Sequence, residues 1–142
     1  MKPYRLALLF CRLGVGGLFL YAGISKGLDP RAFAGEVAAY RLLPYRFNLL
    51  VAASLPWLEI VSGGLLLFGR KVQPAALVLC VLEVSFAVVL TLSIIRGLTI
   101  SCGCFGAGSD IALPWALLRD LVLIALTLPL CFSRNVREEL DD

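Results

Sequence analysis

The sequence contains no histidine. That removes the commonest metal ligand, the usual haem ligand and the usual general base. Redox or metal chemistry would have to use sulfur, carboxylates, lysine, the backbone or a bound cofactor. Charge is also scarce: Asp, Glu, Lys and Arg make up 16% of the residues, with a net +3 spread along the chain. No basic patch of the kind that binds nucleic acid exists, so nucleic acid is not an expected partner.

Apolar residues fill the space that charge leaves. They make up 60% of the chain, and mean hydropathy is +0.91. A soluble domain is nearer half apolar and a quarter charged. The composition is that of a membrane protein, and at about 20 residues per span four spans fill 142 residues without space for a separate soluble domain. The runs lie at about 6–24, 47–68, 74–95 and 114–132, followed by a polar tail over 133–142. The expected fold is an all-α four-helix membrane bundle forming one domain over 1–142. The basic start Met1-Lys2-Pro3-Tyr4-Arg5 suggests a signal peptide, but the apolar run behind it is too long and includes Arg12.

Local signals refine this plan. Lys26 ends the first run. Asp29 is placed to cap, and Pro30 suits the first position of a short amphipathic helix with Phe33, Val37 and Tyr40 on one side. That helix is too short to cross and is expected at the interface. Pro56 interrupts the second run and frees the carbonyl of Ala52. Gly14, Gly16, Gly17, Gly23 and Gly27 let another helix approach the first run closely, which permits a homodimer without requiring one. Four spans put both termini on one side. The compact Arg70-Lys71 turn and the basic amino terminus favour that side as the inside. The expected setting is the cytoplasmic membrane of a prokaryote, with the lipid bilayer around the bundle and the loop between the third and fourth runs outside.

That loop carries Ser101-Cys102-Gly103-Cys104-Phe105-Gly106. Two cysteines one residue apart can form a reversible disulfide, join a metal site, or sit idle. A disulfide closing so small a ring is strained and therefore readily reduced. A structural role is disfavoured, because cross-linking residues two apart removes little chain entropy. A metal would need further ligands from a dimer or from Asp110. The chemistry favours redox exchange by Cys102 and Cys104. Cys11, Cys80 and Cys131 lie in apolar context, where cysteine usually packs as a small hydrophobe. The sharper alternative makes Cys11 and Cys80 a second redox pair carrying electrons across the membrane.

Glu59, Glu83 and Arg12 fall inside the runs, where ionisable groups are expensive and face the bundle interior. One arrangement joins Arg12 to a glutamate and fixes helix register; the other makes the glutamates a proton relay or quinone contact. Arg119-Asp120 should form a local network beneath the cysteine loop. Lys26, on the same side, could stabilise a thiolate or snorkel to lipid phosphate.

Several segments, taken in order, resemble the MauE branch of the DoxX-like membrane proteins. They are Ala22-Gly23-Ile24-Ser25-Lys26, Asp29-Pro30, Tyr40-Arg41-Leu42-Leu43-Pro44, Leu55-Pro56-Trp57-Leu58-Glu59 and Cys102-Gly103-Cys104-Phe105-Gly106. The resemblance spans about residues 5–132. It implies a four-helix membrane bundle that supports maturation of a disulfide-containing client beside a thioredoxin-like periplasmic partner. In that family MauE serves methylamine dehydrogenase, whose small subunit is disulfide-rich, and that particular client does not carry over to this chain. It implies Cys102 and Cys104 as the redox pair, with Lys26 and Glu59 as the family's polar positions. Related DoxX-like proteins include a subunit of a thiosulfate:quinone oxidoreductase. The plan is also similar to the DsbB and vitamin K epoxide reductase type, at the level of fold alone and without their CxxC. The leading expectation is a thiol–disulfide redox protein, an oxidoreductase linked to a thioredoxin-like partner and a quinone. The alternatives are a non-catalytic anchor or assembly subunit, and a persulfide-carrying subunit.

Overall fold

The computed structural model describes residues 2–100 and 112–133. Cys102 and Cys104, and the tail beyond 133, lie outside the described residues. Five helices follow in order: α1 Pro3–Leu28, α2 Pro30–Ala39, α3 Tyr45–Phe68, α4 Val72–Ile95 and α5 Leu113–Phe132. There is no strand among the described residues. α1, α3, α4 and α5 hold 26, 24, 24 and 20 residues and are each long and apolar enough to cross a membrane. At 1.5 Å per residue, 20 residues reach about 30 Å, the thickness of the hydrocarbon core.

Burial runs opposite to that of a water-soluble protein. Phe10, Tyr21, Trp57, Phe68, Ile95, Trp115 and Phe132 point outward, whereas Lys26, Glu59, Glu83, Asp120, Ser62 and Thr127 are buried. Such an arrangement is stable only with hydrocarbon outside. The chain is a multi-pass membrane protein. Hydroxyls within the helices satisfy themselves on their own backbone: Ser54, Ser85, Thr91 and Ser93 each donate to the carbonyl four residues earlier.

α1 packs chiefly on α3, and α4 on α5. The first pair approaches closely because glycine removes side chains at the crossing. A Cβ on Gly16 would stand 2.9 Å from the Gly63 carbonyl oxygen, and one on Gly63 would stand 2.8 Å from that of Gly16. Gly23 is equally tight against Pro56 and Ile60. The glycine face of α1 is therefore used within the chain. Gly14 and Gly17 face open space.

Two boundaries have clear local causes. Asp29 accepts a hydrogen bond from the Ala32 amide at 3.1 Å and caps α2, with Pro30 behind it. Gly69, at φ 68°, ends α3, and the Gly69 and Arg70 amides return to the Leu66 and Leu65 carbonyls. α1 runs two residues past Lys26, which places this lysine in the last turn of the helix. α2 docks on α3 through Phe33, which packs with Ala52 and Leu55.

Candidate functional site

The lysine of α1 is the centre of the site. It is 2% exposed, and its Nζ donates to Glu59 Oε1 of α3 at 2.8 Å. It also stands over the Phe33 ring at 5.3 Å and the Phe86 ring at 5.2 Å. Aromatic faces are among the few apolar surfaces that favour a cation. The side chain turns inward, and the expected alternative of snorkelling to lipid phosphate does not hold. The buried Glu59 carboxylate is the reason, because it offers a fixed counter-charge within reach.

The other interior charges follow a similar logic. Asp120, buried on the second turn of α5, accepts from Arg119 Nη2 at 2.8 Å and from Nε at 3.3 Å. Glu83 of α4 accepts from Thr127 Oγ1 of α5 at 2.9 Å. The expected link between Arg12 and a glutamate is not made among the described residues. Arg12 sits near the opposite end of α1, where its guanidinium occupies the space a Cβ on Gly69 would need. Lys26 takes the counter-ion role because it is level with Glu59, whereas Arg12 is almost four helical turns away along α1.

Glu59, Glu83 and Asp120 meet Lys26, Arg119 and Phe86 around a small interior chamber of about 20 Å³. Lys26 and Phe86 also line a second, larger cavity of about 240 Å³ between α2, α3 and α4. Its walls are mostly apolar, including Val51, Leu55 and Leu82, and its polar lining comes from Lys26, Glu36, Tyr40 and Ser85. Burial pushes the Glu36 carboxyl up, with Lys26 pulling the other way. Burial together with Glu36 and Asp120 pushes the Tyr40 phenol up to about 12. The Tyr40 phenol therefore stays neutral over a wide pH range.

The anchors of the cysteine loop lie at this same end. Ile100 and Leu113 pack in one cluster with Leu90, Ala116 and Tyr40. Arg96 Nη1 donates to the carbonyls of Tyr40, at 3.2 Å, and Arg41, at 3.4 Å, which ties the end of α4 to the α2–α3 connection. The chain thus leaves and re-enters the bundle beside Tyr40. At the other end, the thiol in hydrogen-bonding contact with Cys80 is that of Cys131 on α5. Cys11 is half-buried on α1.

Of the residues anticipated from sequence, the structure brings Lys26, Glu59, Glu83, Arg119 and Asp120 together. Thr127, Glu36 and Phe86 were missed. Thr127 is one of many hydroxyls in apolar runs, and only its pairing across α4 and α5 distinguishes it.

Comparison with known proteins agrees with this architecture. The family model described as methylamine utilisation protein MauE matches residues 4–133. The chain is 38% identical over 119 residues to the methylamine utilization protein MauE of Paracoccus denitrificans, covering 82% of this chain and 64% of that protein. It is 35% identical over 97 residues to the protein of the same name from Methylophilus methylotrophus, covering 68% of this chain and 51% of that protein. This chain therefore spans between half and two thirds of the length of these curated relatives. No solved structure matches it. A family match that runs from the first turn of α1 to the end of α5 takes in every buried charge of the bundle, and the chain belongs to the MauE family.

Proposed function

We propose that this chain is a membrane thiol–disulfide redox protein in which Cys102 and Cys104 exchange with a thioredoxin-like partner. A thiolate of one cysteine attacks the partner's disulfide, a mixed disulfide forms, and the second cysteine displaces the partner's thiolate. The loop then holds a disulfide, and the partner holds two thiols. The reverse sequence oxidises the partner. The observation that carries this reading is the buried Lys26–Glu59 and Arg119–Asp120 network at the end of the bundle where both loop anchors pack. Charges are retained inside a membrane bundle chiefly where chemistry or ion movement uses them.

The larger cavity supports a quinone as the second redox partner. Its apolar walls suit a ring and the start of an isoprenoid tail. Lys26 has two N–H donors beyond the one given to Glu59, available to a carbonyl oxygen, and Glu36 and Tyr40 add polar lining. A quinone there would supply a two-electron acceptor for the loop dithiol. The proposed setting is a prokaryotic cytoplasmic membrane with the termini inside and the cysteine loop outside, where a disulfide persists. The relatives are named for methylamine utilisation, so that system is where a client is first to be sought.

The test is thiol alkylation of purified protein equilibrated across a dithiol redox buffer, read by mass. One reversible two-electron transition at Cys102 and Cys104 is expected. Thiols that stay reduced under oxidant sink the proposal. A double Cys102→Ser/Cys104→Ser variant that still supports the client identifies an anchor instead, and an added sulfur mass on one cysteine identifies a persulfide carrier.

A further inference from the structure

We infer that the interior chamber is a proton-binding site, holding one water molecule and one exchangeable proton seated on Glu83. Three carboxylates face the chamber, and each is more than nine-tenths buried. Each gives one oxygen to a neighbour: Glu59 to Lys26, Asp120 to Arg119 and Glu83 to Thr127. The other oxygens, Glu59 Oε2, Asp120 Oδ2 and Glu83 Oε2, are buried without a hydrogen-bond partner among the described residues. Three acceptors around a void of about 20 Å³ meet both conditions for a buried water, since one water needs roughly 10–15 Å³ by this measure and two to four polar partners.

Charge counting places the proton. With every group ionised, the chamber has three acids against two bases, Lys26 and Arg119. Among the described residues, Lys26 pairs with Glu59 and Arg119 with Asp120. Glu83 faces Lys26 from α1, Glu59 from α3, and Arg119, Asp120 and Thr127 from α5, and its own partner is a hydroxyl. An uncompensated carboxylate at mid-membrane is costly, and a proton removes the charge while letting Oε2 donate toward the water. Lys26 and Phe86 form the wall shared with the larger cavity, so the proton sits next to any charge that changes there. The inference rests on the chamber alone and holds whatever the loop cysteines do.

Infrared difference spectroscopy of the full chain in lipid nanodiscs, in H2O and D2O, tests it. A protonated-carboxyl C=O band is expected at neutral pH, downshifted in D2O. It should vanish in Glu83→Gln, change frequency in Thr127→Val and persist in Glu36→Gln. A narrow water O–H band should change in Glu83→Gln as well. Absence of the carboxyl band from the unaltered protein overturns the inference. So does a band that survives Glu83→Gln, which seats the proton elsewhere. Should Glu83→Gln fail to fold, an unshifted band in Thr127→Val overturns it equally. An unperturbed water region overturns the hydrated chamber.

Discussion

Replacing Lys26 with methionine isolates the central ion pair. The side chain keeps its length and apolar stem, and the loss is the ammonium that faces Glu59 Oε1 at 2.8 Å. Glu59 is then fully buried with a charge and no counter-ion, since its second oxygen has no partner among the described residues. Breaking a buried pair from one side costs about 3–5 kcal/mol. The contact with the Phe33 and Phe86 rings contributes roughly 1 kcal/mol more. For a chain of this size that lowers the melting midpoint by roughly 15 °C. Removing both charges, in Lys26→Met with Glu59→Leu, takes away attraction and desolvation penalty together and should recover most of the loss. The assay is a thermal-shift series on detergent-purified wild type, both single variants and the double variant. A Lys26→Met protein melting within about 2 °C of wild type would refute the reasoning. A double variant no better than either single variant would refute it too.

Three further outcomes follow from the geometry. Gly63→Ala drives a Cβ to 2.8 Å from the Gly16 carbonyl oxygen and should destabilise by about 1–3 kcal/mol, whereas Gly14→Ala meets nothing within 4 Å and should be harmless; paired thermal melts check this. Burial raises the Glu36 carboxyl above its unfolded value, so the fold favours its protonated form and stability falls as pH rises through the raised value. Glu36→Gln should flatten the melting-point profile there, and an unchanged profile contradicts the assignment. Arg96→Met removes the tie to the Tyr40 and Arg41 carbonyls and should speed amide hydrogen exchange at the α2–α3 connection while leaving α5 unaffected.

The sequence was enough for the four long apolar helices, the short α2 and its Asp29 cap, because these depend on local composition and on hydrogen bonds three residues long. It also identified Lys26, Glu59, Arg119 and Asp120, since a charge in an apolar run stands out from its neighbours. The partners were a tertiary matter. Lys26 and Glu59 are 33 residues apart, and Glu83 and Thr127 are 44 apart. Only the close crossing of α1 on α3 at Gly16 and Gly63 levels Lys26 with Glu59 and leaves Arg12 at Gly69. The same holds for the thiols, where helix pairing brings Cys80 to Cys131. Periodicity sets which face of a helix turns inward, but the axial offset of one helix against the next comes from how their side chains interlock. That offset, decided by packing, selected the ion pair and enclosed the chamber.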